Sequence, residues 1–208
     1  GKNMSKFFYL NRLNKIGEKM NCNLCQEISL QIGEKGQYGA PVICKIGNQE
    51  SGWFATLSPK TGGNPEKDFT IQIMTFKHLT HFSEMDDETA KNYGLIFKKI
   101  SKAMHTILQE EIPNFQDPSE TRELAVSLAT YGKATTWNEK KEHLHLKIYP
   151  FRGKHGQPST VDSTWGRQPV HEDEEGKFIK MEPIEKVRIS KERVNSLSKR
   201  FIEILSNF

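Results

Sequence analysis

The chain has 208 residues, enough for one sizeable domain with a real hydrophobic core. Hydrophobic residues make up 35% and charged residues 27%, with a mean hydropathy of -0.66, which excludes fibrous and disordered classes, and no apolar run approaches the roughly 20 residues of a membrane helix. Thirty Lys and Arg against 26 Asp and Glu give +4 at pH 7, too mild to argue for a nucleic-acid partner by charge alone, while three cysteines are too few for a disulfide framework and point to a reducing, cytoplasmic setting.

Residues 1–20 are rich in Lys and Asn around the apolar cluster Phe7-Phe8-Tyr9-Leu10 and read as a helical lead-in. That cluster is too short for a signal-peptide core, and no small-residue cleavage site follows it. Two β-like pieces come next, Pro41–Cys44 and Gly52–Leu57. The segment Ser58–Pro65 is dense in Pro, Gly and Asn and reads as a loop. Phe69–Ile73 alternates with period two and predicts a strand whose exit runs to His78 and His81. Asp86-Asp87-Glu88 then opens a long helix, with Ser83 or Asp86 as cap and acidic residues at the positive end of its dipole. Tyr93, Phe97, Ile100, Met104, Ile107 and Leu108 form one apolar stripe along it. Strands are expected over 124–136 and 143–149. After Pro150 the chain turns rich in Gly, Pro, His and charge, and 155–175 is expected to be irregular. A closing helix starts near Ser190 with Val194, Leu197, Phe201, Ile204 and Leu205 on one face. The pattern is α+β, with a long crossover helix between strands.

Three features bear on chemistry. In His143–Pro150, alternation puts His143, His145, Lys147 and Tyr149 on one strand face and Leu144, Leu146 and Ile148 on the other. Two imidazoles and an ammonium group in a row make a wall suited to a phosphate; an ordinary half-exposed strand has the same pattern. In Cys22-Asn23-Leu24-Cys25, two thiolates are spaced to bind one Zn²⁺, and a tetrahedral site needs two more ligands. These must come from among His78, His81, His105, His143, His145, His155 and His171. A redox CxxC competes with this reading, although no strand precedes it in a thioredoxin-like pattern. The third feature is His78 at the strand exit, which matters because the cysteine pair lacks partners.

Taken together and in order, these residues resemble the histidine-triad (HIT) superfamily of nucleotide hydrolases and transferases. The resemblance covers roughly residues 20–155: the CxxC at Cys22–Cys25, the strand-turn Thr56-Leu57-Ser58-Pro59, the apolar strand Ile71–His78, the acidic-start helix Met85–Leu108, and His143–Pro150 as the signature. It implies a HIT-like antiparallel sheet with a crossover helix over 20–155, preceded by the 1–20 lead-in and followed by a 156–208 extension that ends in a helix and packs on the same domain. It implies that His145 is the nucleophile and that a structural Zn²⁺ is held by Cys22, Cys25, His78 and His143. It also implies a nucleotide substrate and a homodimer formed through the long helix and an edge strand, with no membrane partner and nucleic acid not expected.

The chain departs from the family at three positions. Lys147 replaces the third histidine, keeping a phosphate-binding charge, and is assigned with His145 to catalysis. Thr56 stands where the family has the aspartate that meets the ribose. Lys140 stands at a position that contacts phosphate in relatives. Lys140, Thr56 and Trp165, the last through stacking on a base, are the candidate nucleotide-binding residues. The expected activity is hydrolysis or transfer at the α-phosphate of a nucleotide derivative through a nucleotidyl-histidine. The alternative is a zinc-stabilised nucleotide- or RNA-binding module in which the Lys147 replacement has ended catalysis.

Overall fold

Strands form where β-branched and aromatic residues alternate. The computed structural model describes residues 22–111, 125–130, 143–151, 170–179 and 185–208. In chain order the elements are helix α1 (Asn23–Glu27), strands β1 (Val42–Ile46), β2 (Trp53–Leu57), β3 (Lys60–Thr61) and β4 (Ile71–Thr75), helix α2 (Asp87–Glu111), strands β5 (Ala125–Thr130), β6 (His145–Phe151), β7 (Val170–Asp173), β8 (Gly176–Ile179) and β9 (Val187–Arg188), and helix α3 (Lys191–Ser206). Five strands make an antiparallel sheet of order β1-β2-β4-β6-β5. Because β6 returns between β4 and β5, the long helix α2 crosses the sheet to connect them.

Period two then assigns the two sheet faces. Ala55, Leu57, Ile71, Ile73, Leu146 and Ile148 point into the main core, where they meet Ile96, Ile100, Ala103, Met104 and Ile107 of α2 and Val194, Leu197, Phe201 and Leu205 of α3. Tyr93 and Phe97, expected on the α2 stripe, pack at its margin, while Ile96 and Ala103 take central places. Phe69 and Phe201 meet edge to face with centroids 5.7 Å apart, so α3 belongs to the same core as the sheet. The opposite face carries a smaller cluster, Phe54, Met74 and Phe76, covered by Leu24 and Ile28 at and beyond α1. None of the described helices is long and apolar enough to cross a membrane.

Both long helices start on capping residues that the sequence marks. Asp86 Oδ1 accepts the Thr89 N–H at 2.8 Å, and that bond, before any other cause, holds the Asp86 carboxyl below its ordinary range. Ser190 Oγ accepts the Arg193 N–H at 3.1 Å. Arg193 then reaches Glu111 with its two terminal guanidinium nitrogens, at 3.0 and 3.2 Å, fastening the start of α3 to the end of α2.

Two expectations are corrected here. Ser58–Pro65 is not wholly loop: β3 lies within it, paired antiparallel with β9. A two-residue strand has no period of its own, and its partner lies far along the chain. Residues 155–175 are not wholly irregular either, since β7 and β8 form a hairpin. Asp173 Oδ1 accepts the Glu175 N–H, and Gly176 takes a φ of +123° that favours glycine. Of the strand expected over 124–136, β5 is described, and 124 and 131–136 lie outside the described residues, as does the 1–20 lead-in.

Gly52 sits where the β1–β2 turn passes under Phe76. A Cβ there would lie 2.3 Å from the Asn48 carbonyl oxygen and 2.4 Å from the Phe76 ring. The same backbone is pinned by Gly52 N–H donating to Asn48 O and Phe76 N–H donating to Gly52 O. Gly52→Ala is therefore expected to destabilise by about 1–3 kcal/mol, read as a lower denaturant midpoint with an unchanged slope.

Candidate metal centre and active site

α1, the shortest of the described α-helices, builds the site. Its apolar residue Leu24 docks on Phe54 and Met74, while Cys22 at the N-cap and Cys25 one turn later project together, as residues three apart on a helix do. They meet His78, just past β4, and His143, just before β6. Cys25 Sγ lies 3.2 Å from His78 Nδ1 and 3.4 Å from His143 Nδ1, and Cys22 Sγ lies 3.8 Å from His143 Nδ1. The four donor atoms all fall within 4.8 Å of one another. Zinc–sulfur and zinc–nitrogen bonds of about 2.3 and 2.0–2.1 Å place tetrahedral ligand atoms roughly 3.3–3.8 Å apart; the three Cys–His distances lie in or next to that range, and the donor set fits that ion in number and type.

The His143 imidazole is oriented for this role, while His78 Nε2 is buried without a hydrogen-bond partner. His143 Nε2–H donates to the Thr75 carbonyl at 2.6 Å, which leaves Nδ1 as the lone-pair nitrogen facing the thiols. Thr75 Oγ1 sits 3.1 Å from the same nitrogen and donates to the Lys77 carbonyl at 2.8 Å. The Cys22 thiol is driven far below its ordinary pKa, first by its hydrogen bond with Cys25, against desolvation by burial, and then by His143 and His78. That shift favours the thiolate, the form that ligates metal. Cys44 differs: burial pushes its thiol up to about 11, and it is plain core.

Next to this cluster, cross-strand pairing organises two rows on the face opposite the helices. Phe54, Met74 and His145 lie in register across β2, β4 and β6, and one step along lie Thr56, Gln72 and Lys147. His145 is half-buried, and its Nδ1–H donates to the His143 carbonyl at 3.0 Å. That bond turns the Nε2 lone pair away from the strand, as a nucleophilic imidazole requires. Lys147 and Tyr149 are buried rather than standing on a solvated outer surface, Lys147 at 5% exposure, because β6 is an inner strand flanked on both sides. Thr56 Oγ1 is buried without a hydrogen-bond partner. Beyond the Lys147 row opens a cavity of about 570 Å³, lined among others by Leu24, Tyr38, Ser58, Lys60, Gln72 and Arg188, within the usual range for small-molecule sites.

The structure thus brings together Cys22, Cys25, His78 and His143, and places His145, Lys147 and Thr56 on the adjoining face. Lys140 and Trp165 lie outside the described residues. Sequence reasoning missed Thr75, Gln72, Lys60 and Arg188. Gln72 alternates with Ile71 and Ile73 and was open to the period-two argument; Thr75 and Arg188 are placed by long-range pairing that no local pattern reveals.

An α+β protein with a metal-capable Cys₂His₂ centre at the ends of two inner strands of an antiparallel sheet is therefore the class that fold and site define. Two solved structures resemble it. One is a zinc-bound histidine triad family protein from Mycobacterium smegmatis, 13% identical, with a TM-score of 0.42 over 91% of this chain and 96% of that one. The other is a Hit-like protein involved in cell-cycle regulation from Bartonella henselae, also 13% identical, with a TM-score of 0.39 over 79% of this chain and 87% of that one. No protein-family model and no curated protein matches the chain.

Proposed function

We propose that this protein is a HIT-like nucleotidyl hydrolase or transferase working at the α-phosphate of a nucleotide derivative. The observation that carries the reading is the His145 tautomer. With Nδ1–H held by the His143 carbonyl, Nε2 keeps its lone pair, and Lys147 follows on the same strand face. His145 Nε2 attacks the phosphorus, forming a P–N bond as the bond to the leaving group breaks. The leaving group departs with that electron pair and takes a proton from solvent. Lys147 balances the charge on the phosphoryl oxygens. Water, or an acceptor phosphate, then displaces the imidazole, which regains its lone pair. The unpaired Thr56 Oγ1 supports a sugar hydroxyl bonding at the Lys147 row.

A metal held by Cys22, Cys25, His78 and His143 would tie α1 to the ends of β4 and β6. These residues act on catalysis through position, since His143 supplies the carbonyl that orients His145. Incubation with an α-labelled nucleotide followed by an alkaline quench is expected to leave acid-labile label on the protein. Nucleotide binding with no label on any substrate class would favour the binding-module alternative.

A further inference from the structure

We propose that the cavity beyond the Lys147 row is a second anion subsite, taking a phosphate that the substrate carries beyond its sugar. This deepens the nucleotide reading and rests on it. The cavity's place sets its reach. Gln72, in its lining, pairs directly with Lys147, and Ser58 N–H donates to the Thr70 carbonyl one step further along the same strands. A ligand with its α-phosphate on His145 and its sugar at the Thr56 row therefore projects its next group toward Ser58, Lys60 and Arg188.

The chemistry of that wall selects an anion. Lys60, Lys186 and Arg188 all line the cavity, against one acidic side chain, Glu27, which is buried and packed against Gly36. The β3–β9 pairing puts Lys60 directly opposite Arg188, and like charges facing each other across a strand pair are destabilising. Among the described residues no ion pair relieves either of them. Lys186 and Arg188 flank Val187 and share one face of the strand. Ile189 anchors the strand, being buried and donating its N–H to the Pro59 carbonyl at 3.0 Å. Repulsion that the fold pays to hold in place is relieved by a phosphate between the cations. β9 lies in the C-terminal extension, so the extension would set specificity on a face built by the rest of the chain.

The test is calorimetric binding to the full chain in an adenosine series: adenosine 5′-monophosphate, adenosine 3′,5′-bisphosphate and the 5′-phosphorylated dinucleotide. Wild type is expected to prefer at least one of the latter two over the monophosphate by about tenfold or more, as one charge-assisted contact commonly provides. In the Lys60→Ala/Arg188→Ala variant that preference should fall close to one, while thermal stability stays level or rises because the opposed charges are gone. A gain for the bisphosphate alone identifies a terminal phosphate monoester; a gain for the dinucleotide as well identifies the next phosphate of an oligonucleotide. Equal affinities for all three on wild type, or a preference the variant keeps, overturns the subsite. No affinity for any of the three together with no label on His145 overturns the nucleotide reading itself.

Discussion

Cys22→Ser is expected to lower the melting temperature by roughly 6–12 °C, and chelation of the wild type to lower it further. Structural zinc in small sites contributes an apparent 10–16 kcal/mol or so at pH 7. One ligand in four is thus worth roughly 3 kcal/mol, and in a chain of this size each 1 kcal/mol moves the midpoint by about 2–4 °C. The centre joins three segments distant in sequence, with Cys25 and His143 separated by 118 positions, so its loss frees α1 from the sheet as well as breaking bonds. Elemental analysis should find about one Zn²⁺ per chain. Thiol titration of the folded, loaded protein should find all three cysteines protected, Cys22 and Cys25 by the metal and Cys44 by burial. After chelation two thiols should react, with Cys44 as the internal control. Metal-free purified protein with Cys22 and Cys25 freely titratable would sink the assignment.

How much of this was open to reading in the sequence depended on range. The α2 stripe and the α3 face are local, and Ile100, Met104, Ile107, Val194, Leu197, Phe201 and Leu205 are buried as their spacing predicts. The Cys22–Cys25 pair was visible as half a site. The choice of His78 and His143 from seven histidines came from resemblance, and only the geometry that brings 78 and 143 to the cysteines replaces that warrant. Burial of Lys147 was not readable, because alternation alone cannot distinguish an inner strand with a covered second face from an edge strand with a wet one. Nor was the Lys60–Arg188 opposition, which rests on a two-residue pairing across more than a hundred positions.

His145→Ala should abolish the covalent intermediate and lower turnover by several powers of ten while leaving nucleotide affinity largely intact. On the proposed mechanism the imidazole makes a bond in the transition state, and substrate binding is spread over the face around it. Lys147 predicts a smaller effect of a different kind. It lies two residues along the same strand, about 6–7 Å away, near enough for one phosphate to bridge the two side chains. Lys147→Ala removes charge stabilisation by a single donor, worth about 10²–10³ in rate, and should still accumulate label on His145, only slowly. Lys147 is buried, so the alanine variant also leaves a cavity; Lys147→His keeps a cationic or donating group there and is expected to retain or raise activity. If the histidine variant recovered stability but not rate, the deficit of Lys147→Ala would belong to the lost lysine charge rather than to packing. The decisive comparison is turnover on dinucleoside polyphosphates, nucleoside phosphoramidates and nucleotide sugars. Near-wild-type rates for His145→Ala on any of them would refute its role as nucleophile.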